Sequence, residues 1–441
     1  MNMTVAPAPH LRRVGLIITI ASLIAIATAT LSPESSPAME SHFCVICGSV
    51  GTVDAVLNII LFLPLGVGLA LSGVRARNVL ICSFALSALI ETTQLFLISG
   101  RDATIGDVLT NTIGGVLGFA IGRYHALWLR PPPRVARNLA LSWATIWLTI
   151  QSISSYGFTL SIPHSQYYGQ IARELGNFAV FPGTVVSARI DGVPITNTAL
   201  ADSRAVELLL VANATVTASI VPGKPTPKIA PIVRVVDAQQ GEILLLAQDR
   251  DRFIFGVRTG AVILRARRPF FALANVFPLG LPGDSSPHDA LTLTAQYAAS
   301  GASVRGQTGS TSSRVVIPIN ASLGWTLWLP FQWAIEGTRA ERVISAIWIA
   351  CLLFPLGYWT FHLGKSSSSK RGRSELAITL LFGAAPLIAG LALIQYVFGL
   401  SVAPLVDWVG ALVGLLLGYS LAAATARAWL TRPLVLRAPE R

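Results

Sequence analysis

Charge is scarce in this chain, and acidic charge is scarcest. Of 441 residues 12% are charged, with 21 Asp and Glu against 33 Lys and Arg. A water-soluble domain carries roughly 25% charged residues. With 53% apolar residues and a mean hydropathy of +0.62, the composition is that of a polytopic membrane protein. Cysteine is also rare: Cys82 and Cys351 fall inside apolar runs as packing residues. A zinc site at Cys44 and Cys47 would need two further ligands, for which His42 alone is not enough. The six histidines, His10, His42, His125, His164, His288 and His362, are scattered. No Walker sequence, no histidine pair at metal spacing and no nucleophile with an evident base occurs, so no metal and no cofactor is implied. The net charge of +12 suggests nucleic acid at first sight, but Lys and Arg fall in short loops between apolar runs. That pattern reports membrane topology and argues against nucleic-acid binding.

The apolar runs predict about eight spans, near 14–32, 55–74, 78–98, 106–122, 138–154, 343–363, 376–397 and 402–424, each close to the roughly 20 residues that cross a bilayer. The first run reads either as a retained helix or as a signal segment. Arg75 and Arg77, then Arg123, Arg130, Arg134 and Arg137, then Lys365, Lys370, Arg371 and Arg373, and the C-terminal arginines all fall on one side of such a bundle. By the positive-inside rule both termini are cytoplasmic.

Polar residues within the first third sit near one end of each run. Asp54 and Asn58 are four apart, Glu91 and Gln94 three apart, and Asp107 and Asn111 four apart, which places each pair on one helix face. With Arg101 and Asp102 in the intervening loop, the topology gathers them into a mixed-charge cup on the outer side. Glu91, Asp107 and Asp54 are the candidate acid and base groups, because neighbouring carboxyl groups shift one another's pKa. Arg101, Asn58, Gln94 and Asn111 are the candidate binding groups. The alternative is a buried structural network in which Arg101 pairs with a carboxylate. A Mg²⁺ site lacks any ligand spacing beyond proximity. Gly114, Gly118 and Gly122, spaced by four, continue the Asp107 face and predict close helix packing.

The order Asp54, Asn58, LFLPLG at 61–66, Glu91, Gln94, Arg101, Asp107, Asn111 and Gly114 resembles the VanZ-like family, named for a membrane protein associated with low-level teicoplanin resistance. The resemblance implies a bacterial cytoplasmic-membrane protein linked to the cell envelope, with no defined molecular activity. From about Tyr156 the runs shorten to strand length and alternate, as in AVELLLVANATVTASIV and ALTLTAQY, which predicts a β-sandwich. GEILLLAQDRDRFIFGVRTGAVILRARRPF resembles a concanavalin A-like or laminin G-like jelly roll, and the span count makes it extracytoplasmic. The domains expected are 1–154, membrane, with a VanZ-like core at 54–122; 155–334, the sandwich; and 335–441, membrane. The last is a candidate degenerate repeat, since LLFPLG, Asp407, Gly414 and Gly418 echo the first third while Asn58 and Glu91 have no counterpart.

Cys44 and Cys47, on the outer and oxidising side, are spaced for a local disulfide. Trp325, Trp328, Phe331 and Trp333 form an aromatic run suited to a membrane interface. Three functions follow. The first is a non-enzymatic envelope factor that binds or presents a glycan or glycolipid and affects glycopeptide susceptibility or surface polysaccharide. The second is a membrane-embedded enzyme acting on a lipid-linked or surface saccharide through the carboxylate cup. The third is a transporter, against which the lack of polar residues deep in most helices argues. The family resemblance carries no established chemistry and favours the first. Beyond the lipid bilayer and such a saccharide, no partner is implied.

Overall fold

The computed structural model describes residues 8–32, 44–98, 104–173, 175, 178–277, 290–363 and 380–430. Two compact units divide the chain: Met1–His125 with Gly157–Ile317 and Thr326–Glu336, and Ala126–Tyr156 with Pro318–Trp325 and Gly337–Arg441.

The first unit opens with α1 (Pro9–Thr30), α2 (Gly51–Leu71), α3 (Ala76–Leu97) and α4 (Ile105–Arg123). Pro9 stands in the first turn of α1, where its missing N–H has no intrahelical partner to lose. Thr104 caps α4, its hydroxyl accepting from the Asp107 N–H at 3.1 Å. Large apolar side chains such as Ile17, Ile60, Phe84 and Leu117 are exposed along these helices, as lipid-facing surfaces require. Glycine sets the closest approach. A Cβ on Gly66 would lie 2.0 Å from the Gly115 carbonyl oxygen, one on Gly114 2.4 Å from that of Ile59, and one on Gly118 2.0 Å from that of Leu63. Gly122 continues the seam against Val67. Only a hydrogen fits, so α2 and α4 run in backbone contact.

The same unit contains two six-stranded sheets. The strands are β1 (Tyr168–Ile171), β2 (Thr184–Ile190), β3 (Val193–Pro194), β4 (Thr215–Val221), β5 (Ala230–Val236), β6 (Glu242–Asp249), β7 (Arg252–Val257), β8 (Phe270–Leu273), β9 (Leu291–Ala298), β10 (Gly301–Thr308), β11 (Thr311–Pro318) and β12 (Ala334–Ile335). One sheet runs β1-β5-β6-β7-β8-β12 and the other β11-β10-β9-β4-β2-β3. β12 pairs with β8 in parallel, and the other printed pairings are antiparallel. The apolar run of β6 is buried throughout its first seven residues, whereas β9 alternates buried and half-buried positions. The rings of Phe271 in β8 and Tyr297 in β9 stand 5.7 Å apart, so the two sheets face each other over an aromatic core as a β-sandwich. The run from Asp249 to Arg252 is a hairpin turn in which the two end residues pair. A short helix, α7 (Ser203–Val211), precedes β4.

The second unit holds α5 (His125–Leu129), α6 (Pro133–Phe158) up to Tyr156, α8 (Arg339–Leu363), the short helix Phe382–Val397 and the last helix, Leu405–Leu430. Indole N–H groups tie it together. Trp143 donates to the Leu352 carbonyl at 2.6 Å, Trp147 to Pro386 at 2.9 Å and Trp359 to Trp128 at 2.9 Å. Trp147 also packs against Gly390, where the short helix widens into a π-helical turn. A second glycine seam joins α8 to the last helix. Gly357 meets the Leu415 carbonyl, Gly414 that of Ala350 and Gly418 that of Phe354. Positions 350, 354 and 357 thus stand to 414, 415 and 418 as 59, 63 and 66 stand to 114, 115 and 118.

The span count differs from expectation. Among the described residues six helices are long and apolar enough to cross a membrane: α1 to α4, α8 and the stretch Leu405–Arg427. The expected span at 138–154 lies in α6, whose Gln151 and serines at 152, 154 and 155 dilute its hydropathy. The one at 376–397 is described only from residue 380, where Phe382–Val397 is an apolar helix. Trp325 departs from the interfacial reading: it is buried, and its indole N–H donates to the Ser345 hydroxyl at 3.0 Å.

Candidate functional site

The C-terminal end of α3 and the N-terminal ends of α2 and α4 bring the sequence-predicted residues together. Asn58 Nδ2 donates to Asp107 Oδ1 at 2.6 Å, joining α2 to α4. The other oxygen of Asp107, Oδ2, accepts from the Thr104 hydroxyl at 3.0 Å. Glu91 Oε2 accepts from the Thr104 N–H at 2.9 Å, so α3 holds the capping residue of α4. Asn111 Nδ2 donates to Ser87 Oγ at 2.9 Å, a second tie between α4 and α3. Gln94 does not join the others. It turns to α1 and donates to the Thr30 carbonyl at 2.9 Å. Glu91, Gln94 and Asn111 are buried, Asn58 and Asp107 half-buried, and Asp54 is exposed in the first turn of α2. Arg101 and Asp102 lie outside the described residues.

Thr104, Ser87 and Thr30 complete this network without having been singled out in the sequence. Thr104 carried a signal: T-x-x-D before an apolar run is a capping-box pattern. Ser87 and Thr30 carried none, since a serine inside an apolar helix and a backbone carbonyl have no pattern of their own.

A disulfide loop abuts the site. Cys44 and Cys47 are bonded, with Cα atoms 5.6 Å apart. The Gly106 N–H, one residue before Asp107, donates to the Cys44 carbonyl at 3.1 Å. A Cβ on Gly106 would fall 2.1 Å from the Val45 oxygen, so the loop presses directly on the start of α4. From the sandwich, Arg265 Nη1 donates to the Ile46 carbonyl at 2.5 Å.

The sandwich has its own polar cluster. Glu207 accepts from Arg204 at 2.7 Å and contacts His164 at 2.8 Å. The His164 contact, followed by Arg204, holds its carboxyl below the usual range. Tyr167, whose hydroxyl donates to the Pro163 carbonyl, is pushed up to about 12 by burial and by the nearby Glu207 and Asp237. Among the described residues no group of three or more His, Cys, Asp or Glu gathers as a metal site.

Apolar spans, a self-bonded polar network at helix ends and an inserted two-sheet domain define an integral membrane protein with an inserted β-domain. The family model described as VanZ/LLP1 matches residues 12–128, which makes the N-terminal helices a VanZ-like domain. No curated protein and no solved structure matches the chain.

Proposed function

We propose that this protein is a non-enzymatic factor of the bacterial cell envelope, held in the cytoplasmic membrane with both termini inside and the β-sandwich outside, where the sandwich binds or presents a glycan or glycolipid. One observation carries the reading. Asn58, Glu91, Gln94, Asp107 and Asn111 are each engaged with a neighbouring helix or its cap, so the polar set holds helices α1 to α4 in place. The VanZ-like domain supports a link to the envelope and to glycopeptide resistance. A second reading, an enzyme acting on a lipid-linked or surface saccharide, is favoured by Asp54, which is exposed one turn from the Asn58–Asp107 pair and within reach of a substrate at that surface.

Complementation separates the two. A deletion strain is grown under a glycopeptide, with envelope polysaccharide quantified, and complemented by the wild type, by Glu91→Gln with Asp107→Asn plus Asp54→Asn, or by a chain lacking residues 160–336. The envelope-factor reading expects the carboxyl variant, once shown to reach the membrane folded, to complement and the shortened chain to fail. The reverse outcome assigns chemistry to the carboxyl groups.

A further inference from the structure

Six polar side chains of the second unit are almost fully buried and have atoms with no hydrogen-bond partner among the described residues. They are Gln151 at both amide atoms, Ser154, Ser155 and Ser322 at their hydroxyls, Gln395 at Oε1, and Asp407 at both carboxyl oxygens. None is more than 1% exposed. Buried polar groups are paired in the great majority of cases, so orphaned oxygens that lie together call for a ligand.

Ser154, Ser322 and Asp407 are brought to one turn, and the other three stand in elements of the same unit. Gln151, Ser154 and Ser155 occupy the last turns of α6, Ser322 the 3-10 turn Ala321–Trp328, Gln395 the end of the short helix, and Asp407 the first turn of the last helix. The Ser322 hydroxyl lies beside the Asp407 carboxyl. Ser154 Oγ is 2.2 Å from where a Gly324 Cβ would stand, which sets α6 against the same turn. Just after the short helix, the Ser401 N–H donates to the Ile319 carbonyl at 2.9 Å, bringing that connection to the turn as well.

The matching glycine seams show which partners Asp407 lacks. Asp107 is held by Asn58 and by Thr104. At the corresponding places of the second helix pair stand Ile349, fully buried, and Pro404, neither of which can donate a hydrogen bond from its side chain. Asp407 thus has no counterpart of either partner of Asp107, and it is more deeply buried than Asp107.

We propose that these groups form a binding site for a hard monovalent cation, of which sodium is the type. The donors brought together are oxygens, the Asp407 carboxylate and the Ser322 and Ser154 hydroxyls, with the Ser155 hydroxyl and the amide oxygens of Gln151 and Gln395 in the same unit. Hard cations prefer oxygen over nitrogen or sulfur ligands. Only one of them carries a formal negative charge, so a single positive charge neutralises the site, and a divalent ion would leave an uncompensated charge in an apolar surround. Asp407 and Ser322 are the central ligands. The site is independent of the envelope reading given above.

The full chain, purified in detergent at fixed pH, tests this by thermal unfolding in sodium chloride against choline chloride at equal ionic strength, and by ²²Na⁺ equilibrium dialysis. Sodium is expected to raise the unfolding midpoint saturably and choline not to. Asp407→Asn abolishes the sodium response, and Ser322→Ala weakens sodium affinity about tenfold, the scale of losing one supporting group at a metal site. An equal response to choline chloride overturns the site, as does sodium dependence that survives Asp407→Asn. If Asp407→Asn fails to fold, Ser322→Ala decides alone: unchanged ²²Na⁺ affinity in that variant refutes the proposal.

Discussion

Asn58 and Asp107, both half-buried, face each other across two helices at 2.6 Å. Losing Asn58 removes the tie from α2 and one donor to the half-buried Asp107 carboxyl group, a loss of about 1–3 kcal/mol. Asn58→Ala is therefore expected to lower the thermal midpoint in detergent well below that of Asp54→Asn, which alters an exposed side chain. Four-residue spacing on both helices set the two side chains on facing stripes, but their bond was not readable in advance: the structural network read from the sequence paired Arg101 with a carboxylate. Nor was the bond from the Thr104 N–H to Glu91, because it depends on how the chain between α3 and α4 returns, which no periodicity reports. Tyr167 offers a test in the sandwich. Its pKa of about 12 exceeds the ordinary value of 10 in the unfolded chain, so the fold favours the neutral phenol. That contribution is complete below about pH 10 and is lost as pH climbs toward 12. Tyr167→Phe removes the ionisable group, and its unfolding free energy should decline less steeply across that window than that of the wild type. Burial shifts Tyr297 in the same direction, so part of the alkaline loss persists in the variant.

At the scale of elements, the glycine seams decide how the helices approach. A methyl group at Gly118 would lie 2.0 Å from the Leu63 oxygen, so Gly118→Ala must push α2 and α4 apart. Overpacking of this kind costs about 1–3 kcal/mol. Gly418→Ala is expected to behave alike, against Phe354. Gly383→Ala, where nothing among the described residues lies within 4 Å, should be tolerated, and unfolding midpoints of the three variants check the contrast. The first seam was legible from the spacing of glycines by four. That the second pair repeats its register was not, because LLFPLG and scattered glycines arise readily in any apolar helix, and only the contacts reveal that the same positions meet. The span at 138–154 falls in α6, which is helical throughout; part of its apolar surface packs on Trp147 and its neighbours while Leu141 and Ile146 stay exposed, and burial against protein leaves the same sequence pattern as burial in lipid.

Over the whole molecule, alternation and turn residues announced a sandwich, and the two sheets match that expectation in kind. Strand order was out of reach, since pairing across long loops is decided by the packing of inner faces. β12, two residues long, left no trace in the sequence at all. Yet it completes one edge of its sheet, with Ala334 and Ile335 laid along Phe270 and Phe271, and the adjoining Glu336 pairs with Arg252 at 3.2 Å. A sandwich fragment ending at 330 is therefore expected to elute from size exclusion as aggregate, whereas one ending at 336 stays monodisperse. The reason is that an uncovered edge beside phenylalanines invites pairing between copies.

That closing strand also sets a schedule. β12 is the last part of the sandwich to leave the ribosome, and α8 begins only a few residues later, at Arg339. During synthesis the sheet keeps an open side until the chain is about to re-enter the bilayer. For that interval the nascent protein resembles its own truncated form, and a pause or a stop codon just before residue 334 would turn a transient intermediate into a lasting one.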